Sequence, residues 1–196
     1  LRFAYALSGD DPSRVADLSG RGRHGALSGT MKLETSREGV VREFARETDQ
    51  IGVPPQKLGR MWTLAVRAQF PLDRPGQPRV LMSGGYRQHH VLVDERGRLG
   101  VQAGEFVSSG YDVTALKGWH ELIAVADGQL TTFFVDGRAV GQARAACAEP
   151  ITTLGNGGTG GQPWAGLISA ALLWGQPLTA AEVTAFQQRH AKQATP

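Results

Sequence analysis

Short runs in which apolar and polar residues alternate recur along this chain, separated by turn-forming residues. The clearest is Trp62 to Phe70: Trp62, Leu64, Val66, Ala68 and Phe70 share one face, while Thr63, Arg67 and Gln69 share the other. A period of two predicts a strand with one face on a core and one wetter face. The same reading gives strands at Phe3 to Leu7, Val40 to Phe44, Ile51 to Val53 (stopped by Pro54-Pro55), Arg79 to Ser83 and His89 to Val93. Leu99 to Val101, Phe106-Val107, Ala139 to Gly141, Ile151 to Leu154 and Leu167 to Trp174 follow. Between them, Trp119 to Val125 and Thr131 to Val135 are rich in β-branched and aromatic residues, and Asp127-Gly128 and Asp136-Gly137 close each run. Asp-Gly supplies the positive φ of a two-residue hairpin turn, so residues 119–137 are expected to form a hairpin. Trp119, Phe134 and Val135 are expected in the core.

The end of the chain changes period. Thr179-Ala-Ala-Glu182 has capping-box spacing, and Val183, Phe186 and the residues to His190 predict a short helix, expected on the sheet edge. About a dozen short strands with no alternating helices predict an all-β, two-sheet antiparallel jelly-roll sandwich with one C-terminal helix, a single domain over 1–196.

Composition narrows the function classes. The 196 residues carry a net charge of +3 with arginines scattered, which is not the dense basic stripe of a nucleic-acid binder. No run approaches the ~20 apolar residues of a membrane span. Cys147 is the single cysteine, so an internal disulfide and a multi-cysteine zinc site are excluded. The chain begins at Leu1 without an initiating Met and is expected to be an excised domain or a processed product. The 26 Gly and 10 Pro lie between apolar runs, as turns of a folded β-protein.

Enzymatic constellations fail on spacing. Two carboxylates that act on one glycosidic bond must enter one cleft, which on a strand needs alternating positions such as E-x-D-x-(x)-E. Glu47-Thr48-Asp49 begins that pattern, but no second glutamate follows. His120-Glu121 and His89-His90 are adjacent strand residues and point to opposite faces. Gly155 to Gly160 matches G-x-G-x-x-G, yet a strand follows it where a dinucleotide site needs a helix N-terminus. Aromatic and polar residues instead gather in glycine-punctuated loops at 84–90, 108–112 and 155–165. Tyr86, Arg87, His89, Tyr111, Asn156 and Trp164 are the candidate ligand contacts, with Trp164 stacking on a sugar ring and Asn156 bonding hydroxyls. Asp17 and the carbonyls of Gly20 to Gly25, with Asp10 or Asp11, could face a hard cation.

Taken in order, these pieces resemble the laminin-G-like, concanavalin A-like lectin/glucanase jelly rolls, in particular the bacterial group. Asp17-Leu-Ser-Gly20-Arg-Gly22-Arg-His24-Gly25 resembles the family's N-terminal glycine loop. Trp119-His-Glu-Leu122 with Phe133-Phe-Val-Asp-Gly137 resembles its hairpin, and Gly166-Leu-Ile168 with Leu178-Thr179 and Glu182-Val183 its close. One departure is that the acidic pair of the family's closing strand is replaced by Ser169-Ala170-Ala171. The resemblance implies a non-catalytic, lectin-like module of a larger secreted or envelope-associated bacterial protein. Its expected partner is carbohydrate or a protein surface, beside other domains of the same polypeptide. A structural calcium at Asp17 is implied as an option. A glycoside hydrolase or polysaccharide lyase of the same fold, and a structural spacer beside a catalytic domain, are the alternative readings. Fold alone does not choose between them.

Overall fold

The alternating runs pair into two eight-stranded antiparallel sheets in the computed structural model, which describes residues 1–9, 11–37, 39–46, 48–72, 77–85, 88–156 and 165–193. Sheet A runs β14 (Arg138–Ala143), β13 (Thr131–Val135), β12 (Gly118–Asp127), β7 (Met61–Phe70), β16 (Gly166–Trp174), β5 (Gly39–Phe44) and β4 (Lys32–Ser36). In this sheet β1 (Phe3–Ala6) also pairs with β16. Sheet B runs β11 (Glu105–Asp112), β10 (Arg98–Ala103), β9 (Gln88–Val93), β8 (Arg79–Gly85), β15 (Ile151–Leu154), β6 (Gln50–Gln56), β3 (Gly25–Ser28) and β2 (Arg14–Val15). The expected jelly-roll class is what these sheets form.

The inner faces meet in one apolar cluster. Trp62, Leu64, Val66, Ala68 and Phe70 of β7 pack there with Leu122 and Ala124 of β12, Phe133 of β13, and Leu81, Val91, Leu99 and Ile151 of sheet B. Trp62 is fully buried, and its Nε1–H donates to the Cys147 carbonyl at 3.0 Å, so the indole brings its polar atom into the core satisfied. Cys147 is buried, and burial raises its thiol pKa to about 12, which makes it an inert core residue.

Several elements differ from expectation, each for a local reason. The first hairpin turn is centred on Gly128-Gln129, because Ala126 pairs with Thr131 and the Asp127 carboxylate accepts the Gln129 and Leu130 N–H groups. The second is centred where expected, with both Asp136 and Gly137 at positive φ. Strand β6 continues through Pro54-Pro55, since β3 pairs only with residues 50–52 and its β15 partner shifts register there, so no ladder N–H is demanded of the prolines. β11 passes unbroken through residues 108–112, which were expected as a loop. β4 went unexpected because Lys-Leu-Glu-Thr-Ser is an exposed edge strand without an apolar face.

The helix α1 (Ala180–Gln193) starts at the expected capping box: Thr179 N–H donates to Glu182 Oε2 at 2.7 Å, and Glu182 N–H donates back to Thr179 Oγ1. It packs on the outer face of sheet A, not on an edge. Val183 and Phe186 cover Ala65, Ile123, Val125 and Phe134. Phe134 is therefore buried on the outer face under the helix, and only Val135 of that expected pair joins the inner core.

Candidate functional site

The helix covers one end of the outer face of sheet A and leaves the other open. Pairing registers align Trp119 beside Gln69 and Leu167 beside Glu43, with Ile168 beside Ala68. Because side chains of paired residues share a face, Trp119, Gln69, Leu167 and Glu43 form one outward row across β12, β7, β16 and β5. The β4–β5 hairpin rises beside this row. Together they line a groove of about 770 Å³ with Glu34, Thr35, Ser36 and Arg37 on the hairpin side. Gly118 also lines it; a Cβ there would lie 3.1 Å from the Arg37 guanidinium, so glycine lets the arginine approach the sheet.

The groove mixes two kinds of surface. Leu167 supplies apolar area, with Trp119 as a 6 % exposed floor beside it, and Glu34, Thr35, Ser36, Arg37, Glu43 and Gln69 supply donors and acceptors. A second row along the same face carries Glu121 beside Arg67, with Gln187 of α1 donating to Glu121 Oε2 at 2.6 Å. Burial raises the Glu121 carboxyl to about 7, against the pull of Arg67. Glu121 ties the helix to the sheet at the edge of the open area.

Another cavity, of about 230 Å³, lies at one end of the sandwich among Phe70, Pro71, Leu72, Arg79, Val93, Asp94 and Val113. It is mainly apolar, and its buried acid is already committed. Asp94 accepts the Arg96 and Arg98 backbone N–H groups and pairs with the Arg98 guanidinium at 2.6 Å. Small-molecule sites usually need about 300–1,000 Å³. The groove falls within that range and the end cavity below it.

The contacts expected from the sequence do not gather at the groove. His89, expected as a ligand contact, is 3 % exposed and presents almost no surface to a ligand. Its Nδ1 lies 3.0 Å from Ser83 Oγ, and burial lowers its pKa. His90 is also fully buried, with its ring 5.1 Å from Trp62, and burial lowers its pKa to about 3. Asn156 is 1 % exposed, and its amide donates to the Asp49 carbonyl at 3.4 Å. Tyr111 is half-buried and packs on the core from β11. Tyr86, Arg87 and Trp164 lie outside the described residues.

Asp17 is engaged within its own loop. Its oxygens accept N–H groups from Ala4, Ser19 and Arg23 and the Ser19 hydroxyl, at 2.8–3.0 Å. Burial opposes the charge, but these donors outweigh it and hold the pKa at about 2. The same loop is fastened by Asp17 N–H to His24 Nδ1 and by Tyr5 Oη–H to the Arg23 carbonyl. Among the described residues, no three His, Cys, Asp or Glu side chains cluster as a metal site would need.

The chain matches the Laminin_G_3 family model, described as the concanavalin A-like lectin/glucanases superfamily, over residues 46–184. No curated protein matches it in sequence. Among solved structures it is similar to domain 4 of AbnA, a GH43 extracellular arabinanase from Geobacillus stearothermophilus, solved in complex with arabinotriose. That match has TM-score 0.70 and 14 % identity, covering 96 % of this chain and 98 % of that one. The receptor-binding domain of a botulinum neurotoxin C/D mosaic serotype matches with TM-score 0.69 and 8 % identity, over 96 % of this chain and 51 % of that one. Trypanosoma rangeli sialidase with the inhibitor DANA matches with TM-score 0.69 and 12 % identity, over 94 % of this chain and 32 % of that one. The chain thus spans about half of the toxin domain and a third of the sialidase. At these identities the shared property is the fold, which occurs in enzymes and in binding domains.

Proposed function

We propose that this chain, which belongs to the concanavalin A-like lectin/glucanases superfamily, is a carbohydrate-binding module that holds an oligosaccharide in the outer groove of sheet A. The observation that carries this reading is the outward row Trp119, Gln69, Leu167 and Glu43 beside the polar hairpin Glu34 to Arg37. A sugar presents hydroxyls along its rim and C–H groups on its faces. A trough with amide, carboxylate, guanidinium and hydroxyl groups above a strip of indole and leucine offers a partner to both. Its position on strands favours recognition, because the pairing registers fix the spacing of the side chains. The AbnA domain, of nearly equal length and solved with arabinotriose, supports a sugar as the ligand class and supplies the first probe. The proposal extends to the setting: a lectin-like unit beside other domains of an exported polypeptide.

Titration of the chain with arabinotriose, followed by calorimetry, tests this. Gln69→Ala or Arg37→Ala is expected to weaken binding about tenfold, equivalent to ~1.4 kcal/mol, without changing the melting temperature. Binding unchanged in both variants would remove the groove as the site.

One observation favours a hydrolytic reading. Glu34 and Glu43 both line the groove and sit diagonally across the β4–β5 ladder, where Glu34 pairs with Val41. Diagonal residues lie roughly 7–8 Å apart, with their Cβ atoms somewhat closer, which is compatible with a glycosidase pair. A glycosidase acid, however, needs an apolar, water-poor surrounding to stay protonated. Glu34 is exposed on an edge strand and Glu43 faces Lys32. Binding without turnover is the expected result; release of pentose from arabinotriose, abolished by Glu43→Gln, would establish the hydrolase instead.

A further inference from the structure

Two clefts flank the N-terminal strands, and the Arg42 side chain is part of the wall of both. One, of about 460 Å³, includes Ala6, Asp11, Arg14, Val15, Ala16 and Leu18; the other, of about 230 Å³, includes Leu27, Thr30, Met31 and Leu33. Arg42 sits on β5 two residues before the core residue Phe44, so it points inward between the sheets, and it is 3 % exposed. A buried guanidinium is ordinarily matched by a carboxylate, because removing the charge from water is costly. Among the described residues, Arg42 hydrogen-bonds only to main-chain carbonyls, with the Asp11 carboxylate near enough to favour its charge. Its Nη2 donates to the carbonyls of Gly9 at 2.6 Å and Asp11 at 2.9 Å, and its Nε–H meets no acceptor. The Asp11 carboxylate is turned to other donors: Ser13 N–H, Ser13 Oγ–H and the Arg14 guanidinium. Two carbonyl dipoles and the nearby Asp11 carboxylate offset part of the charge, and the enclosed Nε–H stays without an acceptor in a side chain that helps wall a ligand-sized cleft.

We propose that the larger cleft is a second binding site, independent of the groove, that takes a carboxylate-bearing ligand of monosaccharide size. Arg42 is its charge partner, and Val15, Ala16 and Leu18 pack against the rest of the ligand. The carboxylate could be carried by an acidic sugar or by a small organic acid, and both sources share the chemistry that Arg42 reads. The competing account is that Arg42 is only an inward charge that discourages pairing at a sheet edge. That account predicts no response to any ligand.

The direct test follows the Arg42 Nε–H signal in nitrogen-15 spectra of the full chain during titration with glucuronate, glucose and acetate. Glucuronate is expected to shift the signal saturably, and glucose at equal concentration to leave it in place. An acetate response as strong as that of glucuronate would support the carboxylate and remove the sugar. Ala16→Phe, at an exposed position, is expected to obstruct the cleft and weaken glucuronate binding roughly tenfold, while Gln69→Ala in the groove leaves it unchanged. Since Arg42→Gln could lose the fold, Ala16→Phe carries the test by itself. A signal unmoved at millimolar glucuronate, an equal response to glucose, or full binding in Ala16→Phe would overturn the proposal. None of these outcomes bears on arabinotriose in the groove.

Discussion

Glu121 shows how one residue can set a condition on the fold. It is 4 % exposed on the outer face of sheet A, beside Arg67 and under Gln187 of the helix. Burial disfavours its charged form, and its pKa rises to about 7 from the 4.5 of a free glutamate. A carboxyl whose folded pKa lies above its unfolded value contributes fully below the unfolded value. That contribution is lost as pH rises through the folded one. Stability from this site is therefore greatest near pH 4 and falls between about 4.5 and 7. Glu121→Gln removes the charge and keeps the shape. It is expected to stabilise the protein by on the order of 1–3 kcal/mol at pH 8 and to have little effect at pH 4. Urea denaturation at the two pH values checks this, and equal effects at both would refute the assignment. Asp17 has the opposite sign. Its folded pKa is held at about 2, so its contribution is present above the unfolded carboxylate range and fades as pH falls toward 2.

The helix depends on polar ties as well as on its apolar face. The Thr63 hydroxyl donates to the Gln176 carbonyl at 2.9 Å and accepts the Leu178 N–H at 2.8 Å, fixing the segment that delivers α1 to the sheet. Trp174 meets the Phe186 ring edge-on at 5.1 Å beneath it. Thr63→Val keeps the volume and removes both bonds. A loss of about 1–3 kcal/mol is expected in urea unfolding, with faster hydrogen exchange in residues 180–189. Helix, capping box and β12–β13 hairpin were all legible from period and turn chemistry. What escaped was face. Ala65 and Phe134 belong to a second apolar cluster that exists only because α1 lies there, and no strand pattern announces a helix on its far side. In β9, His90 and Val91 stand opposite the single residue Val101, because the register shifts between Gly100 and Gln102. That extra residue breaks the alternation by which His89 and His90 were assigned. The groove was hidden for a related reason. Gln69 was legible as an outward residue, and Trp119 is buried as expected, though on the outer face; Glu34 and Arg37 lay in a stretch with no strand signal. Only the β12–β7–β16–β5 register brings them together.

At the scale of the molecule, the two sheets divide the work. Their inner faces form the core, and one end of the outer face of sheet A is closed by the helix. At the other end a row of polar and apolar side chains, in which Trp119 is 6 % exposed, lines the groove and is held by ladders on both sides. Such a surface needs no closing lid, so binding is expected with little backbone movement. The measurement that tests this most directly is backbone chemical-shift mapping with arabinotriose. Shifts are expected to concentrate at residues 34–37, 43, 69, 118–119 and 167, with the end cavity around Phe70 and Asp94 unaffected. Shifts confined to other surfaces, or none at saturating ligand, would contradict a carbohydrate site in this groove.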